Sequence, residues 1–220
     1  MELKDNERLD DLQIGGLYII QDPDEYCFTS DAVALANFAK CRSGGKLVDL
    51  CSGSGVIGIL MNAKNHISDV YLVEIQEHLA DMSLRSVEYN KLTNFHVINA
   101  PLQGVHSSIG EGVYDTVVCN PPYKKSGTTT LVNQKDSITI ARHEVSVTLE
   151  DIIRESERLL KFGGDMYICN KEERLADMVF LSRKYHLEPK ELKILPSTRG
   201  ANVVLLKCRK GGKSGMKILL

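Results

Sequence analysis

The chain has 220 residues, 43% of them hydrophobic and 25% charged. Those proportions belong to an ordinary globular protein and exclude a disordered chain, a collagen-like repeat and a disulfide miniprotein. The formal net charge of −2 hides a split: Arg183–Lys217 holds ten Lys/Arg and two Glu, a local +8, so residues 1–182 carry −10.

In chain order, Leu17–Gln21 (LYIIQ) is a short extended run, and Asp31–Lys40 reads as a helix with Thr29 and Ser30 placed to cap it. Lys46–Leu50 (KLVDL) has the pattern of a buried strand, Val56–Asn65 of a helix, Val70–Glu74 of a strand, Glu77–Asn90 of a helix and His96–Asn99 of a short strand. Tyr114–Cys119 is a further strand. Leu149–Leu160 is an amphipathic helix that Gly163 and Gly164 would stop. Met166–Cys169, Glu172–Tyr185, Glu191–Leu195 and Val203–Lys207 follow as strand, helix, strand and strand. Alternating strands and helices predict a mostly parallel sheet covered on both faces. The last two strands have no helix between them, which predicts an antiparallel hairpin. The polar segment Lys124–Val147 is long for a loop, and loops of that length are often functional.

Directly after KLVDL the chain reads Asp49-Leu50-Cys51-Ser52-Gly53-Ser54-Gly55-Val56-Ile57-Gly58, a G-x-G-x-x-G turn with a strand before it and a helix after. Glycines permit the tight turn and let a ligand lie against bare backbone. Glu74 ends the next strand, 21 residues beyond Gly53, where a carboxylate can accept from the two hydroxyls of a ribose. A nucleoside-containing cofactor is implied. A dinucleotide would set its phosphates on the helix N-terminus, whereas Asp49 suits a cationic amino group. S-adenosylmethionine carries an ammonium, a sulfonium and no phosphate, so the loop leans toward it.

Asn120-Pro121-Pro122-Tyr123 follows the strand YDTVVC. An exocyclic amine is a poor nucleophile because its lone pair is delocalised into the ring. The Asn120 side-chain oxygen and the Pro121 carbonyl can each accept one N–H and so hold the amine in line with a methyl group. The prolines stiffen the turn, and Tyr123 offers an aromatic face to a base drawn out of its stack.

The set DLCSGSG, VEIQ and NPPY resembles the class I S-adenosylmethionine-dependent methyltransferases of the NPPY type. Three further stretches narrow the resemblance: IIQDPDEYCFTSDAVALANFA (Ile19–Ala39), ARHEVSVTLEDI (Ala141–Ile152) and RGANVVLL (Arg199–Leu206). They are similar to the bacterial enzymes that methylate the N6 amine of adenine 37 in valine tRNA, and the similarity runs from about Leu9 onward. The resemblance implies a Rossmann-like fold with a seven-stranded, mostly parallel sheet, helices on both faces and an antiparallel C-terminal hairpin strand. A strand-helix cap (1–44) would precede the methyltransferase domain (45–210), and a basic tail (211–220), in which a final strand would be cut short, would follow.

It also implies the site. Asp49, Gly53 and Gly55 would hold the methionine end with Cys51 beside them, and Glu74 and Ile75 the ribose. Phe28, Thr29 and Asp31 match the segment near the cofactor, and Asn120, Pro121, Pro122 and Tyr123 would take the target base. Where such enzymes often place an acid for the cofactor's adenine amine, this chain has Asn99-Ala100-Pro101-Leu102, which leaves Asn99 or a backbone carbonyl. His143 falls near the site, and Lys124 and Lys125 follow Tyr123, where phosphates would lie. Arg199, Lys207, Arg209 and Lys210 are the basic candidates for an RNA platform.

The six cysteines form no Cys-x-x-Cys pair and read as reduced, mostly buried thiols; the histidines show no metal spacing. Met1 opens onto the charged run MELKDNERLDD rather than a secretory leader, and no apolar run spans a bilayer. The expectation is therefore a cytoplasmic tRNA methyltransferase, a monomer or weak homodimer, with no metal and no membrane. Its rivals are a protein glutamine N5-methyltransferase, an rRNA base N-methyltransferase and a non-catalytic RNA-binding module that keeps a cofactor fold.

Overall fold

The computed structural model describes residues 2–122, 147–197 and 200–219. Tyr123, Lys124, Lys125, His143 and Arg199 therefore lie outside the described residues, as does the long polar segment up to Ser146.

An antiparallel hairpin, β1 (Arg8–Asp11) and β2 (Tyr18–Gln21), precedes α1 (Ser30–Phe38). The main body then alternates: β3 (Lys46–Leu50), α2 (Val56–Asn65), β4 (Asp69–Glu74), α3 (Glu77–Tyr89), β5 (Phe95–Asn99), α4 (His106–Ile109) and β6 (Tyr114–Cys119). After the undescribed stretch come α5 (Leu149–Leu159), β7 (Leu160–Lys171), α6 (Leu175–Lys184), β8 (Leu187–Leu195), β9 (Val203–Lys210) and β10 (Lys217–Leu219). The sheet order is β10-β8-β9-β7-β6-β3-β4-β5. Only β9 runs against its neighbours, pairing antiparallel with β7 and β8. The expected antiparallel hairpin is thus present.

The sheet has eight strands among the described residues, not the expected seven. The eighth, Lys217–Leu219, pairs parallel with β8 at Glu191–Lys193. Part of the expected tail is therefore an edge strand. Three residues are too few to show alternation in sequence, and only the open edge of β8 recruits them. Arg8–Asp11 was also invisible, because RLDD is polar and becomes a strand only by pairing with β2. A third correction concerns Gly163 and Gly164. The helix before them already ends at Leu160, whose backbone is extended. Both glycines lie inside β7, beside a register shift against β6 between Tyr114 and Thr116. A Cβ on Gly164 would meet the Tyr114 carbonyl oxygen at 3.1 Å, so the bulge needs a bare backbone there.

Helices α1 to α3 cover one face of the sheet over Leu47, Val70, Leu72 and Tyr167; α4 to α6 cover the other over Val48, Leu50, Val117 and Ile168. Buried on both faces, β3 and β6 are mostly apolar, interrupted by the buried polar residues Asp49, Asp115 and Thr116. Each fully buried Leu or Ile contributes about 1.5–3 kcal/mol. Helix α2 packs especially closely on β4: a Cβ on Gly58 would lie 2.5 Å from Leu72 Cδ2. Helix α5 starts at a capping box, in which Thr148 Oγ1 accepts from the Asp151 N–H at 3.1 Å and Asp151 Oδ2 accepts from the Thr148 N–H at 3.2 Å.

Candidate active site

Parallel pairing in register brings the carboxyl ends of four strands to one level. Leu50 lies beside Val73 and Cys119, and Glu74 beside Asn99. Crevices outside these ends are where open α/β sheets bind ligands.

The glycine turn leaves β3 here. Cys51, Gly53 and Gly55 all take positive φ, at 56°, 55° and 87°. Glycine adopts this region freely, but for Cys51 it is strained, a cost of order 1–3 kcal/mol that the fixed loop imposes. Glu74 anchors the turn. Its Oε2 accepts from the Gly53 N–H and its Oε1 from the Gln76 N–H, both at 2.9 Å, while Ser83 Oγ donates to the Gly53 carbonyl at 2.8 Å.

Asp49 is fully buried behind the turn, and its Oδ2 accepts from the Gly58 N–H at 3.1 Å. Burial pushes its carboxyl up to about 8; the Gly58 hydrogen bond opposes this, and the nearby Glu74 charge adds to it. Among the described residues, Asp49 Oδ1, Ser52 Oγ and Ser54 Oγ are buried without a hydrogen-bond partner. A buried carboxylate oxygen and two hydroxyls left unsatisfied beside bare backbone suit a ligand with a cationic amino group.

Asn99 Nδ2 donates to the carbonyls of Glu74 at 2.9 Å and Ile75 at 3.1 Å. With its nitrogen end tied to the close of β4, the amide is oriented and its oxygen end remains an acceptor. The proline two residues on therefore does not deprive the site of a side-chain acceptor at this corner.

Asn120 follows β6 and is half-buried, Pro121 is buried and Pro122 exposed. Cys169, fully buried on β7, donates its thiol hydrogen to Asn120 Oδ1 at 2.7 Å. Burial also raises the Cys119 thiol far above its usual range, with Cys51 beside it.

The β2–α1 connection contributes a residue that sequence reasoning missed. A Cβ on Gly53 would lie 2.9 Å from the Tyr26 ring and its hydroxyl, so this phenol rests directly on the glycine turn. Burial, and then the charges of Asp49 and Glu74, push the Tyr26 hydroxyl up to about 12. Phe28 packs against the core and Thr29 is the N-cap of α1, without a side-chain cap bond. Asp31 lies in the first turn of that helix. A tyrosine in a polar turn carries no sequence signal of its own; the packing of the hairpin brings it here.

The chain matches the model of the methyltransferase small domain over residues 29–186. It belongs to that family. Among curated proteins it is 26% identical over 137 residues to the tRNA1(Val) (adenine(37)-N6)-methyltransferase of Aliivibrio salmonicida, covering 62% of this chain and 56% of that protein. The protein of the same name from Dyadobacter fermentans is 27% identical over 143 residues, with 63% and 56% covered. The chain thus spans little more than half the length of these relatives. Among solved structures, M. jannaschii TYW2 in complex with AdoMet superposes with a TM-score of 0.64 at 16% identity, over 96% of this chain and 89% of that one. A predicted O-methyltransferase from Agrobacterium tumefaciens gives 0.63 at 18%, over 85% and 84%. These likenesses show the class I methyltransferase fold.

Of the basic residues expected to form an RNA platform, the described three, Lys207, Arg209 and Lys210, lie elsewhere. Lys207 and Arg209 sit toward the far end of β9, since Val203 pairs beside Lys171 at the site end and Arg209 beside Asp165. Arg209 makes two bonds to Asp165, at 2.7 and 2.8 Å. Lys207 pairs with Glu191 at 3.1 Å and Asp165 at 3.5 Å, and Lys210 with Glu157 at 2.9 Å. Their charges are largely answered within the fold. No group of three or more metal-ligating side chains occurs among the described residues, and no described helix is long and apolar enough to cross a membrane.

Proposed function

We propose that the chain transfers a methyl group from S-adenosylmethionine to the exocyclic N6 amine of an adenine in tRNA, adenine 37 of valine tRNA being the nucleotide its relatives' names point to. One observation carries the reading: Asn120-Pro121-Pro122 leaves β6 next to the strand that feeds the glycine turn, with Leu50 and Cys119 paired in register. Cofactor loop and amine acceptor are neighbours.

S-adenosylmethionine supplies a methyl group on a positively charged sulfur, which departs as a neutral thioether. The chain binds and orients. Asp49 Oδ1 takes the ammonium, Glu74 accepts from the ribose hydroxyls, and Asn99 Oδ1 accepts from the adenine amine of the cofactor. Asn120 Oδ1 and the Pro121 carbonyl accept the two N–H groups of the target amine. As the nitrogen gains a bond to carbon it becomes cationic, and these oxygens stabilise the developing charge before a proton is lost to water. Tyr123 would stack on the extruded base, Lys124 and Lys125 would meet flanking phosphates, and His143 would lie nearby. No side chain need act as a nucleophile.

Supporting this reading are the family match, the unsatisfied Asp49 oxygen and the anchored Asn99 amide. The test is mass spectrometry of tRNA nucleosides after incubation with enzyme and labelled cofactor. Label in N6-methyladenosine is expected; label only in protein glutamine, or none, would refute the assignment.

A further inference from the structure

We infer that Cys169 is a positioning residue for methyl transfer, holding the Asn120 amide with its oxygen in the place where the target amine must find an acceptor. This rests on the amino-methyltransferase reading above. The two ends of an asparagine amide have nearly the same shape, but only the oxygen accepts; the nitrogen donates. Turned the wrong way, Asn120 would present N–H groups to N–H groups and repel the substrate it should orient.

Strand register supplies the means to prevent that. Cys119 pairs with Ile168, so the next residues, Asn120 just past β6 and Cys169 near the site end of β7, run side by side. Cys169 is fully buried, and its thiol donates to Asn120 Oδ1 at 2.7 Å. In that interior, beside Tyr167 and Leu205, the low local dielectric strengthens the bond. An amide oxygen accepts two hydrogen bonds, so the thiol can fix its position while it also accepts from the amine. Asn99 is oriented from the opposite end, by donating its nitrogen to two carbonyls. The two amides at the site are thus each set by a neighbour that recognises one end.

The experiment compares the parent with Cys169→Ala and Cys169→Ser. Loss of one buried donor should lower kcat by roughly 5–10-fold in the alanine variant. The cofactor affinity should stay near the parent's, because Asn120 acts on the amine and not on the cofactor. The KM for tRNA should change little beside kcat, because one amine contributes a small part of the binding of a whole tRNA. Serine keeps a donor and should restore most of kcat. An alanine variant at the parent's kcat, or alanine and serine variants equally impaired, would overturn the inference, the latter because packing alone would then explain the loss.

A second measurement needs neither activity nor a foldable Cys169 variant. The infrared S–H stretch of Cys169 should be shifted to low frequency in the parent and move up in Asn120→Ala. A band that does not move overturns the contact, whatever the substrate. A parent that methylates no tRNA while the band does move refutes the function reading instead.

Discussion

At the scale of single residues, the proposed function separates groups that would hold the cofactor from groups that would act on the amine. Asn120→Ala should lower kcat by roughly 10²–10³ while leaving cofactor affinity nearly intact, by analogy with loss of one transition-state hydrogen bond. Single-turnover methylation together with calorimetric titration of S-adenosylmethionine checks both halves of that statement. Glu74 is the converse case. It already holds two backbone N–H groups, so Glu74→Ala removes the brace of the glycine turn as well as the proposed ribose acceptor. Cofactor affinity should fall by on the order of 1.5–3 kcal/mol or more.

Asp49 adds a pH dependence. Its carboxyl titrates near 8 in the fold and near the ordinary carboxylate value when unfolded. A raised folded pKa contributes stability that is fully present below about pH 4 and is lost as pH rises toward 8. An ammonium placed beside Asp49 favours the ionised form, so binding near pH 7 should release close to one proton per site. Calorimetry in buffers of different ionisation enthalpy reads that proton directly, and Asp49→Asn should abolish it.

At the scale of elements, the end of the sheet opposite the site is held by charge. Asp115 on β6 is buried and accepts from Arg42 Nε at 2.5 Å and from the Lys46 N–H at 3.0 Å, with Lys161 of β7 also paired to it. Burial alone would raise its pKa; the bonds from Arg42 and Lys161 outweigh burial and hold it at about 2. A depressed folded pKa means stability that is present above about pH 4 and lost as pH falls toward 2. Acid unfolding followed by circular dichroism should therefore steepen in that window, and Asp115→Asn should flatten it. The capping box on α5 makes an independent prediction. Thr148→Ala strips one donor of its acceptor and should cost about 1 kcal/mol in urea unfolding.

At the scale of the whole molecule, the charge split survives folding but its distribution changes. Lys207, Arg209 and Lys210 are opposed by Asp165, Glu191 and Glu157, whereas Lys193, Lys213 and Lys217 are exposed and have no ion-pair partner among the described residues. If RNA is met on this side, replacing Lys193, Lys213 and Lys217 by Ala should reduce the slope of log affinity against log salt by roughly 2–3. Replacing Lys207, Arg209 and Lys210 should change that slope less, since each is already neutralised within the fold. Filter binding across a salt series for the two triple variants distinguishes the surfaces, and equal effects would restore the far end of β9 as part of the platform.

Local chemistry by itself determined much of this protein. The alternation of apolar runs located the strands of the central sheet, because a strand buried on both faces is mostly apolar and keeps polar residues such as Asp49 and Asp115 only where partners or a ligand meet them. The spacing from Gly53 to Glu74 and the Asn120-Pro121-Pro122 turn were legible for a similar reason: bare backbone and fixed acceptors demand particular residue types. What only the tertiary structure decided are features made by neighbours distant in sequence. RLDD and KIL become strands because an edge recruits them. Tyr26 reaches Gly53 because the hairpin folds over the turn, and Cys169 meets Asn120 because two parallel strands come into register. The basic residues of β9 are paired with acids on β7, β8 and α5. None of these residues has an intrinsic preference for its role; each acquires it from whatever the packed sheet sets beside it.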